Sequence, residues 1–262
     1  MLYGYGILNN HVPTLKATVM KIGAAVSSLL TGLYAVYKAE SNTNDSLGVY
    51  NGTPYGGLAY TAGKSGNAFT FNGVSAYNGL PDNMFNTLTS DFTISLWLYH
   101  TVSGAQSIIG TDFYQTIPTN IYKGWQLSID NLSGSTNKLG FVIAKGTTTG
   151  YTGWEFSTSL TQNTWNHIVL TRVNNTETYC WINNSLSTYT LRGLSPDITF
   201  NPIYHTTQYC SIGADKYTSA LVTNYMKSGS KLDEINIWNR QLTLTERTDL
   251  YNAGTGKFYP TF

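Results

Sequence analysis

The side chains able to do chemistry in this chain are few and scattered. Its five glutamates, Glu40, Glu155, Glu177, Glu234 and Glu246, stand apart from one another. Cleaving a glycosidic bond takes two carboxylates flanking one sugar. The neighbours Asp233 and Glu234 point to opposite faces of a strand and do not supply that pair. His167, in Trp165-Asn-His-Ile168, shares a face with Val169 and reads as a satisfied core histidine rather than a base or ligand. Glu234 and Arg240 share strand parity and read as a structural ion pair. Asp233 shares a face with Ile235 and Ile237, so its carboxylate must be paired, hydrogen-bonded or bound to a cation. Sugar binding needs aromatic rings flanked by polar groups. Candidates on loops are Tyr151 and Trp154 in Gly150-Tyr-Thr-Gly-Trp154, with Tyr204, His205 and Tyr217. The same rings could instead close the ends of the fold or fill a subunit interface.

The elements that must position these groups are strands. Apolar alternation in Asp91-Phe-Thr-Ile-Ser-Leu-Trp-Leu98 puts Phe92, Ile94, Leu96 and Leu98 on one face. Gly124–Ile129 and Leu139–Ala144 read as a hairpin across Ser133-Gly134. Trp165–Arg172 and Glu177–Ile182 read as another around Asn174-Asn175. Further strands are expected at Gly32–Tyr37, Asn67–Gly73 and Tyr209–Gly213. Near the end, Lys231–Trp238 alternates as a strand. Thr243 with Glu246 then forms a capping box for a short helix, and Gly254 supplies a left-handed stop.

Residues 1–31 differ. After Pro13, the apolar positions Leu15, Val19, Ile22, Val26 and Leu29 follow a heptad seam about two repeats long. Such a helix either lies on its own domain or serves as a docking or oligomerising element. The expected division is therefore an attachment segment over 1–31 and one β domain over 32–262.

Charged residues make up 11% of the chain, against about 25% in ordinary globular proteins. Twenty tyrosines and abundant Thr, Asn, Ser and Gly take their place, while 41% hydrophobic content supports a packed core. A net charge of +1 gives no electrostatic case for nucleic acid. The uncharged run from Ile22 to Tyr37 is too short and too rich in Gly, Ser and Thr to span a membrane. Cys180 and Cys210 could bridge only if their strands are neighbours.

Seven of these segments, in order, resemble the laminin-G-like, concanavalin-A-like jelly-roll family. They are Leu33–Tyr37, Asn44-Asp-Ser with Asn51-Gly-Thr53, Ala68–Gly73, Phe92–Trp97, Trp165–Arg172 with Tyr179–Asn184, Ser211–Gly213 and Lys231–Glu246. The resemblance implies an all-β, two-sheet antiparallel jelly-roll sandwich with a short N-terminal extended or helical segment and a short C-terminal helix. It also sets a pattern for catalysis that this chain lacks. The hydrolase motif Glu-x-Asp-x-x-Glu does not occur, and no histidine follows a Gln-x spacing. Members often bind calcium through an early turn and a late aspartate, which maps here to Asp45, Asn44, Asn51 and Asp233. Asn72 replaces the family's frequent aspartate and weakens a cation ligand at that point.

The implied function is non-catalytic: a bacteriophage virion component, a fibre or appendage, whose lectin-like domain contacts host surface glycans. Residues 1–31 would join it to other virion proteins or to sister chains in a homo-oligomer. The alternative is a secreted, extracellular bacterial carbohydrate-binding or adhesin module.

Overall fold

A computed structural model describes residues 27–262, apart from 83, 89–90, 112–113, 116–120, 123, 133, 135, 145–150, 175, 194–208 and 218–221. Leu15, Val19, Ile22 and Val26 of the expected seam lie outside the described residues.

Two eight-stranded antiparallel sheets face each other. The first runs Ser185–Ser187, Glu177–Ile182, Trp165–Val173, Phe92–Tyr99, Lys231–Trp238, Asn67–Thr70, Ala59–Ala62, and Leu33–Tyr37 also pairs with Lys231–Trp238. The second runs Tyr189–Arg192, Tyr151–Ser159, Lys138–Ala144, Trp125–Ile129, Gln106–Thr111, Cys210–Ile212, Tyr77–Leu80, Thr53–Tyr55. Both expected hairpins form, with Leu127 opposite Phe141 and Leu170 opposite Cys180. The architecture is the expected two-sheet jelly roll with one short C-terminal helix.

Alternation explains the core. Phe92, Ile94, Leu96 and Leu98 all enter it from the first sheet and meet Leu127, Ile129, Phe141, Trp154, Phe156 and Ile212 from the second. Each such side chain contributes about 1.5–3 kcal/mol on burial. Rings of Phe85, Phe92, Trp125 and Phe141 meet at centroid distances of 4.8 to 6.4 Å, in the range where edge and tilted aromatic pairs attract. Cys180 and Cys210 belong to different sheets, and both are buried with no disulfide between them.

The strand Lys231–Trp238 departs from strict alternation. Glu234 adopts φ 47°, and the register against Phe92–Tyr99 slips between Asp233, opposite Trp97, and Asn236, opposite Ser95. This is a β-bulge: one extra residue reverses the facing of everything beyond it. Leu232, Ile235 and Ile237 therefore all reach the core. Asp233 does not share their face, contrary to the sequence expectation, because parity counted across a bulge is off by one.

The expected Arg240–Glu234 pair also fails. Arg240 lies beyond the strand's end, and its guanidinium grips Glu246 at 2.7 and 2.9 Å. It further donates to the carbonyls of Thr31 and Ser28. That contact and the Thr243 amide hold the Glu246 carboxyl down at about 2, while burial opposes the shift. The capping box forms as expected on the helix Leu244–Tyr251. Its left-handed stop is Asn252 at φ 45°, not Gly254. Asparagine tolerates that region better than most residues with a Cβ.

A second, smaller core joins Leu29, Trp238, Leu242, Leu250 and Phe262. Leu29 sits in a short 3-10 turn, Ser28–Leu30, with the indole Nε1 of Trp238 donating to its carbonyl at 2.7 Å. Leu29 thus packs on its own domain and is unavailable to an intermolecular seam.

Candidate functional site

The positions singled out from sequence scatter. Trp154 is the clearest correction. It lies within the strand Tyr151–Ser159, is 1% exposed, and packs against Phe141 with the Arg172 guanidinium 5.0 Å above its ring. The preceding glycines made it look like a loop residue, but Trp154 and Phe156 alternate inward. Tyr151 is half-buried at the start of that strand. Tyr217 is half-buried just after the strand Asp215–Lys216, which belongs to a separate two-stranded sheet, and donates its hydroxyl to Asp215 at 3.3 Å. Tyr204 and His205 lie outside the described residues.

The residues proposed for calcium do not fit a cation. Asp45 spends its oxygens on four backbone amides, those of Val36, Leu47, Val49 and Tyr50. Asp233 accepts from the amides of Lys64, Ser65 and Glu234. Asn51 accepts from the Asp45 amide, and Asn44 is an exposed turn residue. These side chains are acting as turn organisers, the satisfied alternative for a buried carboxylate. Among the described residues no group of three or more His, Cys, Asp or Glu is arranged to hold a metal. Asn72, too, organises a turn: its Oδ1 accepts from three successive amides, Val74, Ser75 and Ala76.

His167 is buried beneath the C-terminal helix. Its Nε2 lies 2.9 Å from the Ser95 hydroxyl, and its ring forms a cluster with Trp97 and Tyr251, whose rings also stack on each other at 6.2 Å. Burial, and secondarily the Lys64 ammonium, push its pKa down to about 3. It is a neutral core group at physiological pH.

A different place combines exposure, aromatic surface and polar groups. A cleft of about 290 Å³ opens at the Thr53–Tyr55 edge of the second sheet. It is lined by Asn51, Thr53, Tyr55, Leu80, Pro81, Asp82 and Lys216, with Gly79 in its floor. Pro54 marks the strand as an edge, since proline cannot donate to a ladder on both sides. Tyr55 is 43% exposed and stacks on its cross-strand partner Tyr77 at 4.7 Å and 10° between planes. Tyr77 is in turn backed by Tyr225 at 6.3 Å. Gly79 makes this possible: a Cβ there would lie 2.7 Å from the Tyr55 ring. The ring is therefore held flat by two neighbours while the rest of it faces the cleft. At the far wall, the Lys216 ammonium stands 3.5 Å from an Asp82 carboxylate oxygen and 5.1 Å over the Tyr209 ring.

Of these residues only Asn51 was singled out from sequence, and for another role. The usable signal was Asn51-Gly-Thr-Pro-Tyr55, a turn followed by an edge-strand proline and an aromatic. Asp82, in a turn, and Lys216, in the short strand Asp215–Lys216, lie far apart in sequence, and nothing local connects them.

Two facing antiparallel sheets closed by a capped helix define a jelly-roll sandwich of the lectin type. The chain belongs to the concanavalin A-like lectin/glucanases superfamily, whose model matches residues 72–246. No curated protein matches it in sequence. Solved structures resemble it in fold. Domain 4 of AbnA, a GH43 extracellular arabinanase from Geobacillus stearothermophilus in complex with arabinotriose, superposes with TM-score 0.55 at 19% identity, covering 86% of this chain and 98% of that one. The binding domain of botulinum neurotoxin DC, in complex with SialylT, gives 0.61 at 15% identity over 86% of this chain and 52% of that one. A Trypanosoma rangeli sialidase mutant displaying trans-sialidase activity gives 0.58 at 15% identity, covering 90% of this chain and 35% of that one.

Proposed function

We propose that the domain is a non-catalytic carbohydrate-binding module and that sugars dock on Tyr55. The observation that carries this reading is the exposed, pre-stacked Tyr55 ring beside Asn51, Thr53 and Asp82 in an open cleft. A rigid ring offers the apolar face of a sugar a platform whose ordering cost is already met, and the flanking polar groups can fix the hydroxyls. Support for a binding rather than hydrolytic role comes from the lining itself. Among its described residues Asp82 is the one carboxylate, whereas glycoside hydrolysis uses two. The sugars named in the arabinanase-domain and neurotoxin complexes agree with this reading.

The test is binding of the full chain to an immobilised oligosaccharide panel, repeated with Tyr55→Ala. Tyr55→Ala is expected to weaken the best ligand about tenfold or more, which is ~1.4 kcal/mol. Equal binding by the variant, or no binding to any sugar in the panel, would sink the proposal. Released reducing sugars from the same panel would show that the module is an enzyme.

The proposal extends to setting: a virion appendage whose lectin-like domain meets host glycans. It is supported by the low-charge, Tyr/Thr/Asn-rich chain together with the family resemblance. Finding the chain in purified phage particles by mass spectrometry checks this, and finding it only in culture supernatant favours a secreted module.

A further inference from the structure

We infer that the Tyr55 cleft selects neutral sugars bearing adjacent hydroxyls and rejects sialylated or uronic-acid glycans; this rests on the carbohydrate-binding reading above. The argument is one of which charge the ligand meets. Among its described residues the cleft holds one carboxylate and one ammonium, but they are not equally presented. The Asp82 side chain keeps 41% of its surface exposed and that of Lys216 only 13%. Lys216 is committed on two sides, to Asp82 at 3.5 Å and to the face of Tyr209 at 5.1 Å. An entering ligand therefore meets the carboxylate first.

An ionised carboxylate is acceptor-only. Its two oxygens suit a pair of adjacent sugar hydroxyls, each donating one hydrogen bond, and such charge-assisted bonds are the stronger kind. Across the cleft, Asn51 turns its Oδ1 to the Asp45 amide at 3.1 Å, which leaves its Nδ2 as the donor for a ring or hydroxyl oxygen. The Thr53 hydroxyl can act either way. Donor and acceptor thus flank the Tyr55 ring, matching a neutral sugar. A ligand carboxylate placed there would confront Asp82 while Lys216 is already engaged, and like-charge juxtaposition is a strong means of excluding a wrong partner.

The experiment compares affinities of the full chain for neutral arabino-, galacto- and gluco-oligosaccharides with those for sialylated and uronate-containing oligosaccharides of equal length. Neutral ligands are expected to bind, with the acidic ones weaker by about tenfold or more. Asp82→Asn should weaken the neutral ligands and erase most of the discrimination. Lys216→Met, which strips Asp82 of its counter-charge, should widen it. Acidic sugars binding the parent protein as well as neutral ones would overturn the selectivity while leaving carbohydrate binding intact. Unchanged discrimination in both variants would overturn it equally. If no sugar of either class binds, the carbohydrate-binding reading itself falls, and this inference with it.

Discussion

Trp238→Ala is expected to lower stability by about 3–5 kcal/mol, the range for removing a large aromatic from a close-packed site. Trp238 is fully buried in the smaller core, where its ring meets Phe262 at 6.4 Å and Leu29, Leu242 and Leu250 surround it. Its indole also satisfies the Leu29 carbonyl, so truncation opens a cavity and strips an acceptor together. The measurement is urea unfolding of the full chain. Trp238→Phe separates the two contributions, because it keeps most of the packing and loses the N–H; it should cost much less. The lost indole bond should also leave the Ser28–Leu30 turn more open to proteolysis, detectable as faster cleavage near it under native conditions. A loss below about 1 kcal/mol for the alanine variant would mean that the smaller core is not coupled to the fold.

Glu234 carries the second large effect, and its sign depends on pH. Its side chain is buried, and neither carboxylate oxygen has a hydrogen-bond partner among the described residues. Burial first, then the adjacent Asp233, push its pKa from 4.5 up to about 8. Asp233 is also raised by burial, but three backbone amides hold it against that tendency, so the proton belongs on Glu234. A carboxyl whose folded pKa is raised favours folding fully below its unfolded value. That contribution fades as pH rises from about 4.5 through about 8, where the folded protein must finally ionise a buried group. Glu234→Gln, which is neutral at every pH, should be close to the parent at pH 5 and more stable by upwards of about 1 kcal/mol at pH 8.5. Chemical denaturation at the two pH values reads this directly. An identical difference at both would show that Glu234 is ionised throughout.

The fold was legible because its signals are local and repeated. Phe92, Ile94, Leu96 and Leu98 alternate without interruption, and the hairpins at 125–144 and 165–182 carry their turn residues between clean apolar runs. The capping box needs only Thr243 and Glu246. What failed did so for physical reasons of two kinds. Asp233 and Trp154 were misread because a bulge and a glycine-rich strand start hide the true phase of the alternation. The cleft was missed because Tyr55, Asp82 and Lys216 come from separate segments, and only the closing of the sheet edge joins them. The early-turn residues Asp45 and Asn51 looked like ligands because a side chain that gathers backbone amides uses the same oxygens as one that gathers a cation.

The slip at Glu234 has a consequence for how this chain can vary. It behaves as a phase shift in a wave of period two: Leu232 on one side and Ile237 on the other both crest inward only because one residue has been added between them. Removing that residue would not shorten the strand so much as invert half of it, turning either Leu232 outward or Ile237 away from the interior. Substitutions at this point are negotiable, whereas its length is not.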